Sequence, residues 1–305
     1  MNQSTVNILR ETITAWFDTR TSELAAALSF FLIFSLAPIL HISIFIAGFF
    51  YGEQAAEGEI VAQTEDVIGT EAARAIQGLL AGAYNDPTSG TIATLFSLGF
   101  LVFASVRFFL QLQRALNYIW HVESRDGDNL ASMSWQVVRK RLVSFGIVIL
   151  LGVFLLLILI VNSIVPAIVD EADNIVPAVD ILSQIINWAV ALALLTLALA
   201  MIYKILPDAR IAWQDVWLGA FITAVLVLVG NFFIGLYLQY GSTTSAFGAA
   251  GSFIALMLWA FYTSQVAFVG AKFTQVYAEH RGRGIQPDKN AVRVKRVTVD
   301  EPAGS

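Results

Sequence analysis

The chain has no cysteine. That absence excludes a disulfide framework, a thiolate metal site and a cysteine nucleophile, and it leaves the redox compartment open. Charge is scarce as well: 13% of residues are Asp, Glu, Lys or Arg, against 57% hydrophobic. This balance is far from an ordinary soluble domain and equally far from a disordered chain. Histidine occurs only at His41, His121 and His280, which fall at three different predicted membrane depths. They therefore do not form an obvious acid–base pair. A Gly-x-x-x-x-Gly-Lys-Ser/Thr phosphate loop is missing, so direct coupling to nucleotide hydrolysis by this chain is not expected. The strict apolar–polar alternation of a transmembrane β-barrel is missing too.

What the chain does have is long apolar runs, at about Leu24–Phe50, Thr91–Gln111, Leu142–Val165, Ile181–Ile205, Val216–Tyr237 and Phe247–Tyr277. Most exceed the ~20 residues needed to cross a hydrocarbon core of ~30 Å. A chain in lipid must satisfy its own backbone groups, so these runs should be α-helices. The sequence thus predicts an all-α polytopic membrane protein: a bundle of six transmembrane helices over 24–277, in keeping with a mean hydropathy of +0.70.

The net charge of −5 misleads until it is divided by segment, because orientation follows Lys and Arg in short loops and nearly ignores acids. Arg10 and Arg20 precede the first run. Arg114, Arg125, Arg139, Lys140 and Arg141 lie between the second and third, and Lys204 and Arg210 between the fourth and fifth. Arg281, Arg283, Lys289, Arg293, Lys295 and Arg296 follow the sixth. All of these fall on one side. The opposite loops hold Arg74 and many acids, among them Glu53, Glu57, Glu59, Asp170, Glu171 and Asp173. Both termini are therefore expected in the cytoplasm.

Within 1–23, Val6, Leu9, Ile13, Trp16 and Phe17 recur at helical spacing opposite Arg10, Asp18 and Arg20, which predicts an amphipathic helix on the cytoplasmic leaflet. The first long run is too long for a signal-peptide core, so no cleaved leader is expected. The external segment 51–90 is predicted to carry two short amphipathic helices broken near Gly69, serving as lid or cap. The tail, 278–305, loses apolar periodicity and gains Gly, Pro and charge, and is predicted to be disordered.

Several stretches resemble one family. Ala25-Ala26-Ala27-Leu28-Ser29-Phe30 with Ser35-Leu36-Ala37-Pro38 looks like the first-span signature of the YihY/BrkB family of inner-membrane proteins. Leu112-Gln113-Arg114-Ala115-Leu116-Asn117-Tyr118-Ile119-Trp120 resembles its cytoplasmic segment. Leu206-Pro207, Trp213 and Gly219-Ala220 resemble its entry to span five, and Tyr237, Tyr240, Phe247-Gly248, Trp259 and Gly270-Ala271 its last two spans. The resemblance covers about 24–277. On it Ser35, Pro38, Asn117, Trp120, Pro207, Gly248, Trp259 and Gly270 are structural motif positions, and the implied location is the inner membrane of a prokaryote. One departure is Lys272, where the family pattern usually has an acid after Gly-Ala, which puts in doubt any cation or proton role of that acid here. The family carries two inherited labels, a tRNA-processing ribonuclease and a virulence factor. Nuclease chemistry calls for clustered carboxylates or poised histidines beside a basic, aromatic surface. This sequence has no such constellation, so no catalysis, metal, cofactor or nucleic-acid partner is expected.

Polar groups inside the runs are the better clue, because they are costly in hydrocarbon and tend to face a bundle interior or an aqueous cavity. Arg107, Gln111, Arg114 and Tyr118 follow at i, i+4, i+7 and i+11, one helical stripe that either lines a path for an anionic group or snorkels to headgroups. Lys272 carries the same pair of readings and, with Lys204, suggests a cationic cytoplasmic vestibule. His41 is a proton relay or an interhelical contact. Asn162, Asn187 and Asn231 are interhelical amide bonds or substrate contacts. The glycines of the last run suit close helix packing or an unwound entrance. Three classes follow: a transporter or lipid-handling protein that binds an anionic lipid or solute, a membrane scaffold that recruits envelope proteins, and the ribonuclease. Oligomers fit any of them.

Overall fold

Residues 3–17, 19–51, 91–124, 179–240, 251–288 and 291–294 are described by a computed structural model. They form helices α1 (Gln3–Trp16), α2 (Thr19–Tyr51), α3 (Thr91–Ile119), α4 (Val179–Ile205), α5 (Trp213–Tyr240) and α6 (Gly251–His280), with strands β1 (Val122–Ser124), β2 (Ala209–Arg210), β3 (Gln286–Pro287) and β4 (Ala291–Arg293). The protein is mostly helical. Segments Trp188–Ile205, Trp213–Tyr237 and Phe253–His280 are long and apolar enough to cross a membrane. The helices α2 and α3 run for 33 and 29 residues. The predicted third run, the helices of 51–90 and Gly248 lie outside the described residues.

α6 is the hub, packed against α1, α2, α3 and α5, while α4 packs on α5 and α2 on α3. The α5–α6 contact is an antiparallel crossing with a repeated device. Gly219-Ala220-Phe221-Ile222-Thr223 on α5 faces Gly270-Ala271-Lys272-Phe273-Thr274 on α6. A Cβ on Gly219 would overlap Thr274 Oγ1, and one on Gly270 would overlap Thr223 Oγ1. Each threonine donates back to the glycine of its own helix, Thr223 to Gly219 O at 2.7 Å and Thr274 to Gly270 O at 2.8 Å. Lipid offers no hydrophobic drive between helices, so close backbone approach through small residues supplies the attraction. Back-bonding keeps both hydroxyls satisfied inside that contact.

A second knot ties α3, α4 and α6. Trp120 Nε1 donates to Ala271 O at 2.9 Å, and its ring meets Tyr203 edge-on with centroids 6.2 Å apart. Tyr203 donates to Ala267 O at 2.6 Å. Trp120→Phe keeps most of the packing and removes the indole's bond to a carbonyl that retains its helical partner, so it should lower stability by about 0.5–1.5 kcal/mol, read as a lower Tm in detergent.

Two expectations are revised. Among the described residues of the tail, 278–288 and 291–294, β4 pairs antiparallel with β1, and β3 with β2. Gly282 and Gly284, with φ of 70° and 57°, turn the chain back at the end of α6, where the amides of Arg283 and Gly284 bond Ala278 O. Short strands fixed by distant partners carry no periodicity for a sequence reading to find. The leaflet helix is also changed in part. α1 packs on α6, yet Val6, Ile13 and Phe17 stay exposed on it, which leaves an apolar face as an interfacial helix requires.

Candidate functional site

At one end of the bundle the chain gathers the start of α2, the ends of α3, α4 and α6, the α4–α5 connection and the tail. Arg20 lies over the Tyr118 ring at 5.6 Å and Gln265 donates to Ser22 at 3.3 Å, joining α2 to α3 and α6. Asp208, in the α4–α5 connection, is the centre of a clasp. Its Oδ2 accepts from Asn117 Nδ2 at 2.9 Å and from Gln113 Nε2 at 3.2 Å, and its amide donates to Asn117 Oδ1 at 2.9 Å. The backbone of Asp208 also accepts from the Asp288 amide at 2.9 Å, and Asp288 pairs with Arg210 at 2.8 Å. The tail is thus fastened to the same residue that fastens α3.

A second fastening lies beside it. Asp215, in the first turn of α5, is fully buried, and Arg283 reaches its Oδ1 at 3.2 Å while also donating to Gln214 Oε1 at 2.7 Å. The approach to Asp215 is ionic and not an aligned hydrogen bond, and its Oδ2 meets no hydrogen-bond donor among the described residues. The helix N-terminus supplies additional favourable field for this carboxylate. Just past the end of α3, His121 has φ 55°, in the left-handed region. It is held there by Gln275, 3.0 Å from Nδ1, and by the Val294 amide on its carbonyl at 2.9 Å.

The residues singled out from the sequence divide as follows. Asn117, Trp120 and Gly270 sit in the clasp and the knots just described, and Pro207 is buried beside Asp208 in the chain. Arg107 lies over the Phe103 ring at 5.2 Å and Arg114 is exposed. Gln111 is half-buried on the same helix. The α3 face that engages Asp208 is therefore Gln113–Asn117, adjacent to the Arg107–Gln111 stripe. Lys272 donates to Gln275 Oε1 at 3.0 Å, and Lys204 donates to Ile211 O while lying over the Trp213 ring at 5.5 Å. Ser35 is buried and donates to Leu32 O at 2.9 Å. Pro38 and His41 fall within α2, which continues through them. Asn187 belongs to α4, and Asn162 lies outside the described residues. Asn231 Oδ1, Trp259 Nε1, Thr263 Oγ1 and Ser264 Oγ are buried and meet no hydrogen-bond partner among the described residues. Among those residues no three His, Asp or Glu side chains converge as a metal set.

Asp208 and the Thr223–Thr274 pair were not singled out from sequence. The second had a signal: the pentapeptide pattern Gly-Ala-x-x-Thr occurs twice, once in each helix of the crossing.

The clasp describes how the chain is held together, and similarity to known proteins says where it belongs. A family model described as Virulence factor BrkB matches residues 12–295. The chain belongs to the BrkB family. Relatives named UPF0761 membrane protein agree. One from Tolumonas auensis is 32% identical over 26% of this chain and 26% of its own length, and one from Ralstonia nicotianae is 28% identical over 56% and 36%. One from a Janthinobacterium strain is 21% identical over 84% of this chain and 56% of its own length. The chain thus spans between about a quarter and just over half of these relatives. No solved structure gives a significant match. With its apolar helices, this BrkB-family member is an integral membrane protein.

Proposed function

We propose that the protein is a six-span protein of a prokaryotic inner membrane, with both termini cytoplasmic, that binds and moves an anionic lipid or solute. The observation that carries this reading is the gathering of cationic side chains at the clasped end. Arg114, Lys204, Lys272 and Arg281 belong to helix ends, connections or tail segments that the clasp, the paired strands and α6 bring together, beside Arg210, Arg283 and Arg293, which pair with Asp288, Asp215 and Glu279. Such an end suits the cytoplasmic face by the basic-residue rule, and its field attracts anionic headgroups or solutes. The ribonuclease reading gains nothing from this arrangement, and the scaffold reading is the alternative outcome of the test.

Reconstitution in vesicles of equal phosphatidylglycerol and phosphatidylcholine tests the proposal. Phosphatidylglycerol should be enriched among lipids recovered with the protein, and Arg114→Ala with Lys272→Ala should reduce that enrichment several-fold, at about 1 kcal/mol per basic side chain near an anionic surface. Displacement by inorganic phosphate would assign a soluble anion and resistance to it a lipid. Equal recovery of both lipids, unchanged by the substitutions and by phosphate, would contradict it.

A further inference from the structure

α5 and α6 do not present the same chemistry along their whole contact. Three observations fix the register: Gly219 against Thr274, Thr223 against Gly270, and Gly230 against Tyr262, whose hydroxyl donates to Leu226 O at 2.7 Å. On α6, Trp259, Thr263, Gly270 and Thr274 follow at i, i+4, i+11 and i+15, a single stripe of a helix with 3.6 residues per turn. Its lower members, Gly270 and Thr274, touch α5, so Trp259 and Thr263 continue the same face. On α5, Asn231 directly follows Gly230, at the level of Tyr262 and about 100° round the helix from the face that meets it.

The two halves of this contact treat their polar atoms differently. In the lower half both threonine hydroxyls are back-bonded to their own helices. In the upper half Thr263 has the same choice, with Trp259 O one turn behind, yet its hydroxyl meets no partner among the described residues, and neither do Trp259 Nε1 and Asn231 Oδ1. All three atoms are buried, within segments apolar enough to cross a membrane. A buried polar atom left unpaired in hydrocarbon is costly, and several on one level mark a polar route or binding place.

We propose that the upper α5–α6 region, at Asn231, Trp259 and Thr263, is closed in the described arrangement and opens to a hydrated path for an oxygen-rich polar group. This deepens the substrate-handling reading above and rests on it. The class follows from the donors. An indole N–H only donates and the threonine hydroxyl is free to donate, so both suit acceptor oxygens such as those of a phosphate ester or polyol, while Asn231 Oδ1 accepts from water or a ligand hydroxyl. No charged side chain belongs to this set, so the path carries its ligand without a fixed ion pair to trap it.

The cysteine-free chain permits a direct test in the full-length protein. Thr263→Cys and Asn231→Cys are made singly, with Phe261→Cys as the lipid-facing control, since Phe261 is exposed on the outside of α6. Each is reconstituted in phosphatidylcholine vesicles and treated with a charged, membrane-impermeant methanethiosulfonate. Only a thiolate reacts and a thiolate forms only where water reaches, so residues 263 and 231 should label on the order of tenfold or more faster than residue 261. Labelling of neither, in protein that labels fully after denaturation, would overturn the path. Two positions on different helices keep the test decisive if one variant fails to fold. If 263 and 231 label but phosphatidylglycerol is not enriched, the path stands and the anionic-ligand reading falls. Enrichment without labelling gives the reverse.

Discussion

Gly270→Ala should be among the most damaging single-methyl additions to this protein. The new Cβ would overlap Thr223 Oγ1, lie 2.9 Å from Thr223 Cβ and lie 3.0 Å from the Tyr203 hydroxyl. Tyr203 cannot retreat freely, because it is fully buried and holds Ala267 O. Overpacking of a rigid contact costs about 1–3 kcal/mol, and here the α5–α6 crossing and the Trp120–Tyr203 knot are disturbed together, which favours the upper part of that range. Gly219→Ala should behave alike through Thr274. Gly235→Ala is the internal control: its Cβ meets nothing within 4 Å, so it should be neutral or slightly stabilising, given that alanine favours helix by up to about 1 kcal/mol over glycine. Thermal unfolding in detergent reads all three. A Gly270→Ala protein as stable as Gly235→Ala would show that the helices do not approach as closely as described.

The next largest effect should come from Arg283→Ala. Asp215 is fully buried, whereas Arg283 keeps about a third of its side chain exposed (36%). Removal of one partner from a fully buried pair costs about 3–5 kcal/mol because the other charge is stranded. Exposure of the arginine screens this pair, and a loss of about 1–3 kcal/mol is the discounted expectation. The double variant Arg283→Ala with Asp215→Asn should regain most of that loss, because no charge is then stranded. Arg210→Ala provides the contrast. Its pair with Asp288 has 55% and 54% exposed side chains, and such surface pairs contribute about 0–1 kcal/mol. Denaturant unfolding, together with protease cleavage of the tail, separates these cases. Equal effects of Arg283→Ala and Arg210→Ala would mean that burial of Asp215 does not govern the fastening.

How far the sequence could be read follows from which forces act locally. The described helix limits track the apolar runs closely, Val179–Ile205 against Ile181–Ile205 and Trp213–Tyr240 against Val216–Tyr237. Hydrocarbon thickness fixes run length, and hydropathy is a property of each segment alone. The clasp was not legible in the same way. Arg107, Gln111 and Arg114 form a stripe on paper, but the stripe that α3 uses is Gln113–Asn117, chosen by Asp208 from a connection 91 residues further on. Likewise β1 finds β4 across the stretch of chain that holds α4, α5 and α6. Such pairings are set by where helix ends meet, which no local period encodes. Gly270 stands between these cases: its motif was visible, while its meaning required Thr223 on the facing helix.

The central claim, that this BrkB-family protein handles an anionic lipid or solute at its cationic end, is tested most directly by native mass spectrometry of the protein released from its own membrane. The account predicts a specific anionic lipid or metabolite bound to the protein, with occupancy falling in Arg114→Ala and Lys272→Ala while membrane insertion is retained. Protein that carries no such ligand, or only another polypeptide, would contradict it and favour the scaffold.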